Sequence, residues 1–233
     1  MTDDILKRQC FVGLFDILGF RNIVKNDKLE DVWKAYRETT SHSSYIMDNL
    51  DSLFKSKIIN IDSFSDTFLI YTADHSNLGQ EAIDTHFTVL LAVCDALFHS
   101  ANTNKFPIRG AITVGELIVK EGIHIGKPIV DAYEMEQKQD WIGCWICDDA
   151  IKLISKELLQ RHMDGKLIFK YKIPFKSADI IDCYVFNWVY LPFEEDYDYG
   201  FLVKKPGHDW SVERKHRNTR DYIKFVQSSF QKK

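Results

Sequence analysis

The chain has 233 residues, 45% of them hydrophobic, which is enough for one substantial core. Its formal net charge of -4 excludes the basic surface expected of a general nucleic-acid binder. Asp3 and Asp4 stand where a secretory signal would be apolar, and the five cysteines are odd in number and scattered, so reduced thiols in the cytoplasm are expected rather than a disulfide framework.

In chain order, residues 1–9 read as a polar lead-in with a possible helical turn. Residues 10–16 read as the first strand, inside the run Phe-Val-Gly-Leu-Phe-Asp-Ile-Leu-Gly-Phe at 11–20. Helical character begins near Asn22. Apolar spacing predicts helix over 28–54, with the Ser/Thr cluster at 39–44 marking a kink or break. Residues 57–62 and 66–72 form a predicted hairpin closed by a tight turn at Ser63–Ser65. A strong helix is expected over 82–101, from Ile83, Phe87, Leu90, Leu91, Cys94, Leu97 and Phe98. Its apolar run near 87–98 is too short and polar to span a bilayer, so no membrane partner is expected.

Beyond Pro107, a strand is expected over 108–119, a short strand or loop at 123–126, and a helix from Lys127-Pro128 to about Lys138. Residues 141–147 read as a strand, with Asp148 or Asp149 capping a helix at 150–160. Strands follow at 166–173 and 180–189. The order is β-α-β-β-α-β with an α-β-α-β-β extension. That predicts an α+β, ferredoxin-like core in a single domain, with the core at about 10–190 and a tail at 191–233. In the tail, 194–198 reads as an acidic aromatic loop and 210–230 as a basic, peripheral helix.

The chemistry concentrates in two acids. Asp16 ends a core strand, where an unpaired carboxylate buried in hydrocarbon would be very costly, so it is expected to face water, a cation or a metal. Gly19 allows a sharp turn or close backbone approach to a ligand. Asp66 sits at the tip of the predicted hairpin, and in this topology the two acids meet at one edge of the sheet. Two converging carboxylates repel unless a cation lies between them. Oxygen ligands of this kind suit Mg²⁺ or Mn²⁺ carrying a substrate's phosphates, with the Ile17 carbonyl as a further donor. The competing reading makes Asp16 a helix cap and Asp66 a simple turn residue.

The chain resembles the class III nucleotidyl cyclase catalytic domain. Asp16-Ile17-Leu18-Gly19-Phe20 is similar to that family's Asp-Ile-x-Gly-Phe metal motif, and Ser65-Asp66 to its Gly-Asp pair. The run from Pro107 to Glu116 is similar to its Arg-x-Gly-x-x-x-Gly strand, and Gly126 to Glu136 to its Gly-x-x-Val-Asn-x-Ala-x-Arg-x-Glu helix. The resemblance covers roughly residues 10–190. It implies that Asp16 and Asp66 hold two metal ions, Mn²⁺ or Mg²⁺, and that the Gly19 and Phe20 amides meet the phosphates. It also implies a head-to-tail homodimer with the site at its interface.

The departures matter equally. The family's transition-state Asn and Arg fall on Val130 and Glu134, leaving Asp131 as the nearest polar substitute. Its purine-selecting residue falls on Asp62. Arg109 and Lys127 are candidate phosphate clamps, with Lys172 and Lys176 behind them. Asp62, Asn60 and Thr113 could face the base. This purine-mismatched form looks like the pyrimidine cyclases of bacterial Pycsar antiphage defence, which implies a UTP or CTP substrate and a cyclic product read by a separate effector. The alternative is a cyclase-like dimeric or nucleotide-sensing module without catalysis. Cys144 and Cys147 read as core cysteines rather than a metal pair, and His124 as structural or solvated.

Overall fold

Strand β1 (Lys7–Ile17) lies at the middle of the molecule, antiparallel to β3 (Thr67–Thr72) on one side and β4 (Ile108–Lys120) on the other. Strand β2 (Ile59–Phe64) extends the sheet beyond β3. The resulting β2-β3-β1-β4 order is that of a ferredoxin-like βαββαβ core. Beyond β4, β6 (Gly143–Ile146) pairs in parallel, followed by β8 (Ile180–Phe186) and β7 (Ile168–Pro174), both in antiparallel pairings. The short β5 (Ile123–Gly126) pairs with β4 off this path and completes an eight-stranded sheet. This computed structural model describes residues 6–177, 179–190, 202 and 210–231. The acidic segment expected at 194–198 and His208 lie outside them.

Alternation along β1 sorts its side chains between two cores, because successive strand residues face opposite sides. Phe11, Phe15 and Ile17 enter the larger core. Helices α2 (Leu29–Phe54) and α3 (Gln80–Thr103) cover that face. Cys10, Val12 and Leu14 enter a smaller core with Ala132 and Met135 of α4 (Lys127–Lys138). Asp16 continues this even-numbered series, so it belongs to the α4 face at the point where the apolar packing stops. Gly110 lets β4 lie close to β1 here: a Cβ on it would come within 2.3 Å of the Leu14 carbonyl oxygen.

Several expectations change. Helix α2 runs unbroken through the Ser/Thr cluster, because the hydroxyls of Thr39, Ser41 and Ser44 donate to carbonyls four residues back, at 2.8, 2.7 and 3.1 Å. Strand β2 extends to Phe64, so the hairpin turn is Ser65-Asp66, with Ser65 at φ 57°. The helix expected at 150–160 is two helices, α5 (Asp148–Leu153) and α6 (Lys156–Asp164). The Cys147 thiol, not Asp148 or Asp149, accepts the Ala150 amide and caps α5. At 24 residues, α3 is by length and composition able to cross a membrane, yet Phe87, Leu90, Leu91 and Leu97 are fully buried in the core.

The tail helix α7 (Trp210–Gln231) is not peripheral. Tyr222 is fully buried, with its ring 4.7 Å from Trp141 and 4.8 Å from Tyr171. The nearly inaccessible Asp140 carboxylate takes Arg214, and the Asn218 amide donates to the Asp140 carbonyl at 2.7 Å. Aromatic burial plus a buried carboxylate paired with Arg214 fixes the helix to the sheet.

A second buried feature predicts acid sensitivity. His75 is 3% exposed, its ring lies 4.9 Å from Phe11, and neither ring nitrogen has a hydrogen-bond partner among the described residues. Burial, with His86 beside it, brings its pKa down from 6.5 to about 4. The unfolded chain therefore binds more protons than the folded one between those values. Stability from this group is complete above 6.5 and is lost as pH falls toward 4, by about 1–3 kcal/mol. Thermal melts from pH 7 to pH 4.5 should show His75→Phe losing less stability than the parent protein. An identical decline in both would rule His75 out as the cause.

Candidate active site

The corner after β1 is built by two backbone hydrogen bonds. The Ile17 amide donates to the Asp66 carbonyl at 2.9 Å, and the Leu18 amide to the Pro107 carbonyl at 2.8 Å. Gly19 then turns at φ 76°, a left-handed conformation that favours glycine, and α1 (Phe20–Asn26) begins. Gly19 is the N-cap of α1 and no side chain caps it, so Asp16 is not a helix cap. Asp16 stands opposite Thr67 on β3 and opposite Arg109 on β4. Asp66, one residue before Thr67, is thereby held beside Asp16 at the same end of the sheet.

The electrostatics agree with that placement. Burial and then the neighbouring Asp66 push the Asp16 carboxyl from 3.8 up to about 7; Glu136 adds to this, while Arg109 and Thr67 oppose it. The Thr67 hydroxyl reaches Asp16 Oδ1 only at 3.5 Å, too long to hold the carboxylate by itself. A carboxylate made reluctant to ionise by burial and by a second carboxylate is the condition that a divalent cation relieves. Among the described residues, no group of three or more His, Cys, Asp or Glu side chains is arranged to hold a metal. The donor set is two carboxylates with backbone oxygens nearby. That fits Mg²⁺ or Mn²⁺ completed by water and phosphate, and not a closed zinc site.

Arg109 is 3% exposed. Its Nε donates to Glu136 Oε1 at 2.6 Å, and its terminal nitrogen donates to the Gln139 carbonyl at 2.7 Å. It is a fixed internal charge beside Asp16 rather than a solvated one. Lys127 projects into solvent and pairs with Asp131 at 2.5 Å on the first turns of α4. Lys127 lies nine residues from Glu136, about 14 Å along the helix axis, so one protomer does not bring it to its own two acids. Val130 is 55% exposed, and Glu134 sits 4.0 Å from Lys138.

Of the groups expected near a base, Thr113 is buried and donates to the Pro128 carbonyl at 2.8 Å, so it faces the underside of α4. Asn60 and Asp62 stand opposite Tyr71 and Leu69, on the same sheet face as Asp16. Lys172 stands opposite Asp182. Burial and then Arg109 lower the Lys176 pKa, which places it in the cationic surroundings of that buried pair. Sequence reasoning missed two residues beside the acids. Glu136 carries the matching charge for Arg109; the signal was its place four residues after Ala132 and eight after Pro128, on the side of α4 that packs against the sheet. Tyr36 of α2 stacks on Phe68, 5.4 Å between ring centroids, and senses the Asp66 charge; its spacing marked it only as core.

No family model matches the chain, and no curated protein matches it in sequence. Solved structures do match its fold. The guanylyl cyclase Cya2 superposes with a TM-score of 0.51 at 13% identity, over 81% of this chain and 96% of its own. The catalytic core of a rhodopsin-guanylyl cyclase with converted specificity, in complex with ATPαS, gives 0.53 at 14%, over 78% and 97%. A dimeric guanylyl cyclase domain of the RhoGC fusion protein from the aquatic fungus Blastocladiella emersonii gives 0.52 at 12%, over 77% and 95%. The chain thus has the α+β fold of class III nucleotidyl cyclase catalytic cores, carrying a C-terminal helix.

Proposed function

We propose that the protein is a nucleotide cyclase acting in the cytoplasm, which converts UTP, and secondarily CTP, to the 3′,5′-cyclic monophosphate and pyrophosphate. The carrying observation is the convergence of Asp16 and Asp66 at one end of the sheet, with the Asp16 carboxyl raised to about 7. The ribose 3′-oxygen bonds to the α-phosphorus, the bond to pyrophosphate breaks, and the hydroxyl proton leaves to solvent. Asp16, Asp66 and the Ile17 carbonyl would hold two Mn²⁺ or Mg²⁺ ions, which supply charge neutralisation and acidify the attacking hydroxyl. The Gly19 and Phe20 amides meet the phosphates at the start of α1. Arg109, paired with Glu136, keeps a positive charge next to Asp16.

The pyrimidine assignment rests on Asp62, an acid where the resembling family reads a purine, and not on the neighbours, which are guanylyl cyclases. With it goes the defence role, in which the cyclic nucleotide signals to a separate effector. Dimerisation is supported by exposed apolar side chains on β5, α4 and β2: Ile123, Ile125, Val130, Tyr133 and Phe64, at 55–85% exposure. A partner there would also bring a second Lys127 and Asp131 toward the acids. The second reading, a cyclase-like module without catalysis, is favoured by Val130 and Glu134 at the Asn and Arg positions. On that reading, Asp62 and the two acids would bind nucleotide without turning it over.

Incubation with each ribonucleoside triphosphate and Mn²⁺, read by mass spectrometry, should yield cyclic UMP above cyclic CMP. Asp66→Ala should reduce either product on the order of a hundredfold or more while the protein stays folded. No cyclic product from any of the four nucleotides would leave the second reading. Tyr133→Glu should give monomers in sedimentation, with activity down about tenfold or more and an unchanged melting temperature; a fully active monomer would remove the dimer from the mechanism.

The raised Asp16 pKa gives a third test. Folding gains from the protonated form completely below 3.8, and that gain is lost as pH rises through about 7. At pH 8 without divalent metal, Asp16→Asn should therefore be more stable than the parent by about 1–3 kcal/mol. The advantage should shrink toward pH 5. Adding Mn²⁺ should raise the melting temperature of the parent and not of the variant. A variant less stable than the parent at pH 8 would contradict this electrostatic picture.

A further inference from the structure

Between α4 and β6, residues 139–142 belong to no helix or strand, apart from a single bridge between Gln139 and Phe175. Yet none of the four is more than 1% exposed. Buried irregular backbone carries polar groups that water does not reach, so the protein must supply their partners. One set comes from the site. Arg109 Nη1 donates to the Gln139 carbonyl at 2.7 Å, and the Gln139 side-chain amide donates to the Gly110 carbonyl at 2.9 Å. A second set comes from α7. The Asn218 amide donates to the Asp140 carbonyl at 2.7 Å, the Thr219 hydroxyl accepts the Ile142 amide at 3.0 Å, and the Asp140 carboxylate takes Arg214.

The segment is therefore gripped from two sides. The Gln139 and Asp140 carbonyls belong to consecutive rigid peptide groups, so fixing one restricts the other. Trp141 adds a side-chain link: its indole N–H donates to the Gln139 side-chain oxygen at 2.8 Å, while its ring packs 4.7 Å from Tyr222 of α7. On the site side, Arg109 and Gly110 stand opposite Asp16 and Phe15 of β1. Glu136 alone does not fix the Arg109 guanidinium. Nε and Nη2 both reach the same oxygen, Glu136 Oε1, which is one point about which a planar group pivots. The Gln139 carbonyl, on Nη1, is the second point, and two acceptors define the plane.

We propose that Arg214, Asn218 and Thr219 of the C-terminal helix are positioning residues for the active site: they hold residues 140–142 so that the Gln139 carbonyl keeps the Arg109 guanidinium in place beside Asp16. The catalytic consequence rests on the cyclase reading; the linkage itself does not. Arg214, Asn218 and Tyr222 recur every four residues, so one face of α7 presents a charge, an amide and a ring to the same segment. Covering the core requires only the apolar part of that face, Tyr222 with Ile223 and Val226. The polar part grips backbone that leads to Arg109. Arg109 supplies charge next to a metal-binding acid and makes no contact with a base. Loosening it should therefore lower kcat more than it raises KM.

The full-length protein should be compared with Asn218→Ala, Arg214→Ala and Thr219→Val, the last keeping the side-chain shape and removing only the hydroxyl. Solvent exchange of the Arg109 Nε proton, read by NMR on protein carrying isotope-labelled arginine and assigned with Arg109→Lys, reports on the guanidinium directly. It should quicken about fivefold or more in the three α7 variants. Their kcat should fall about tenfold, with KM changing less. Thr219→Ser and Arg214→Lys, which keep the hydroxyl and the charge, should recover much of both. Val89→Ala, a cavity in α3, should lower the melting temperature and leave exchange and kcat near those of the parent. Thr219→Val decides the matter if Arg214→Ala does not fold. Unchanged Arg109 exchange in the α7 variants would overturn the proposal. So would a loss of kcat that Val89→Ala reproduces at an equal loss of melting temperature, or quickened exchange with kcat intact. An inactive parent protein whose Arg109 exchange quickens in the α7 variants would sink the cyclase reading and sustain the linkage.

Discussion

One backbone hydrogen bond, from the Ile17 amide to the Asp66 carbonyl, ties the end of β1 to the tip of the β2–β3 hairpin. Together with the pairing of Asp16 and Thr67, it sets two carboxylates fifty residues apart in sequence against each other. A one-residue slip of β1 would turn Asp16 to the opposite face and bury it among the phenylalanines of the larger core. The register is protected by that penalty: Phe11 and Phe15 cannot be moved to the α4 side without exposing the core. The hydrophobic alternation of β1 thus does the work of placing a charge.

The site is also costly to the fold. Asp16 is driven toward its neutral form by burial and by Asp66, and only partly relieved by Arg109, which is itself held by Glu136 and the Gln139 carbonyl. The pair of Arg109 and Glu136 is almost inaccessible, and breaking one half of such a pair leaves an uncompensated charge. It therefore belongs to the framework as much as to the chemistry. Nearby, Asp140 receives Arg214 from the C-terminal helix, so charges that border the site also anchor the tail.

Much of this was legible in the sequence. An apolar strand ending in an acid and a glycine marked the corner at Asp16, and a hairpin with an acid at its tip marked Asp66. The βαββαβ order then required that they meet. What was hidden depended on contacts between distant residues. The Ser/Thr cluster at 39–44 looked like a break because hydroxyls compete with helix hydrogen bonds, yet bonding back to the preceding turn satisfies them inside a helix. The tail helix looked peripheral because its own composition is basic, and contacts with residues as distant in sequence as Trp141 and Tyr171 are what bury Tyr222. His124 looked solvated until β5 folded it against Tyr71 and Asp62.

The central claim is that Asp16 and Asp66 share divalent cations with a nucleotide. Crystals grown with Mn²⁺ and 3′-deoxy-UTP, measured by anomalous diffraction at the manganese edge, test it most directly. The account predicts manganese between the two carboxylates, with oxygens at about 2.1 Å and the triphosphate on the opposite side. A nucleotide bound with no manganese there, or two carboxylates turned away from each other, would contradict it.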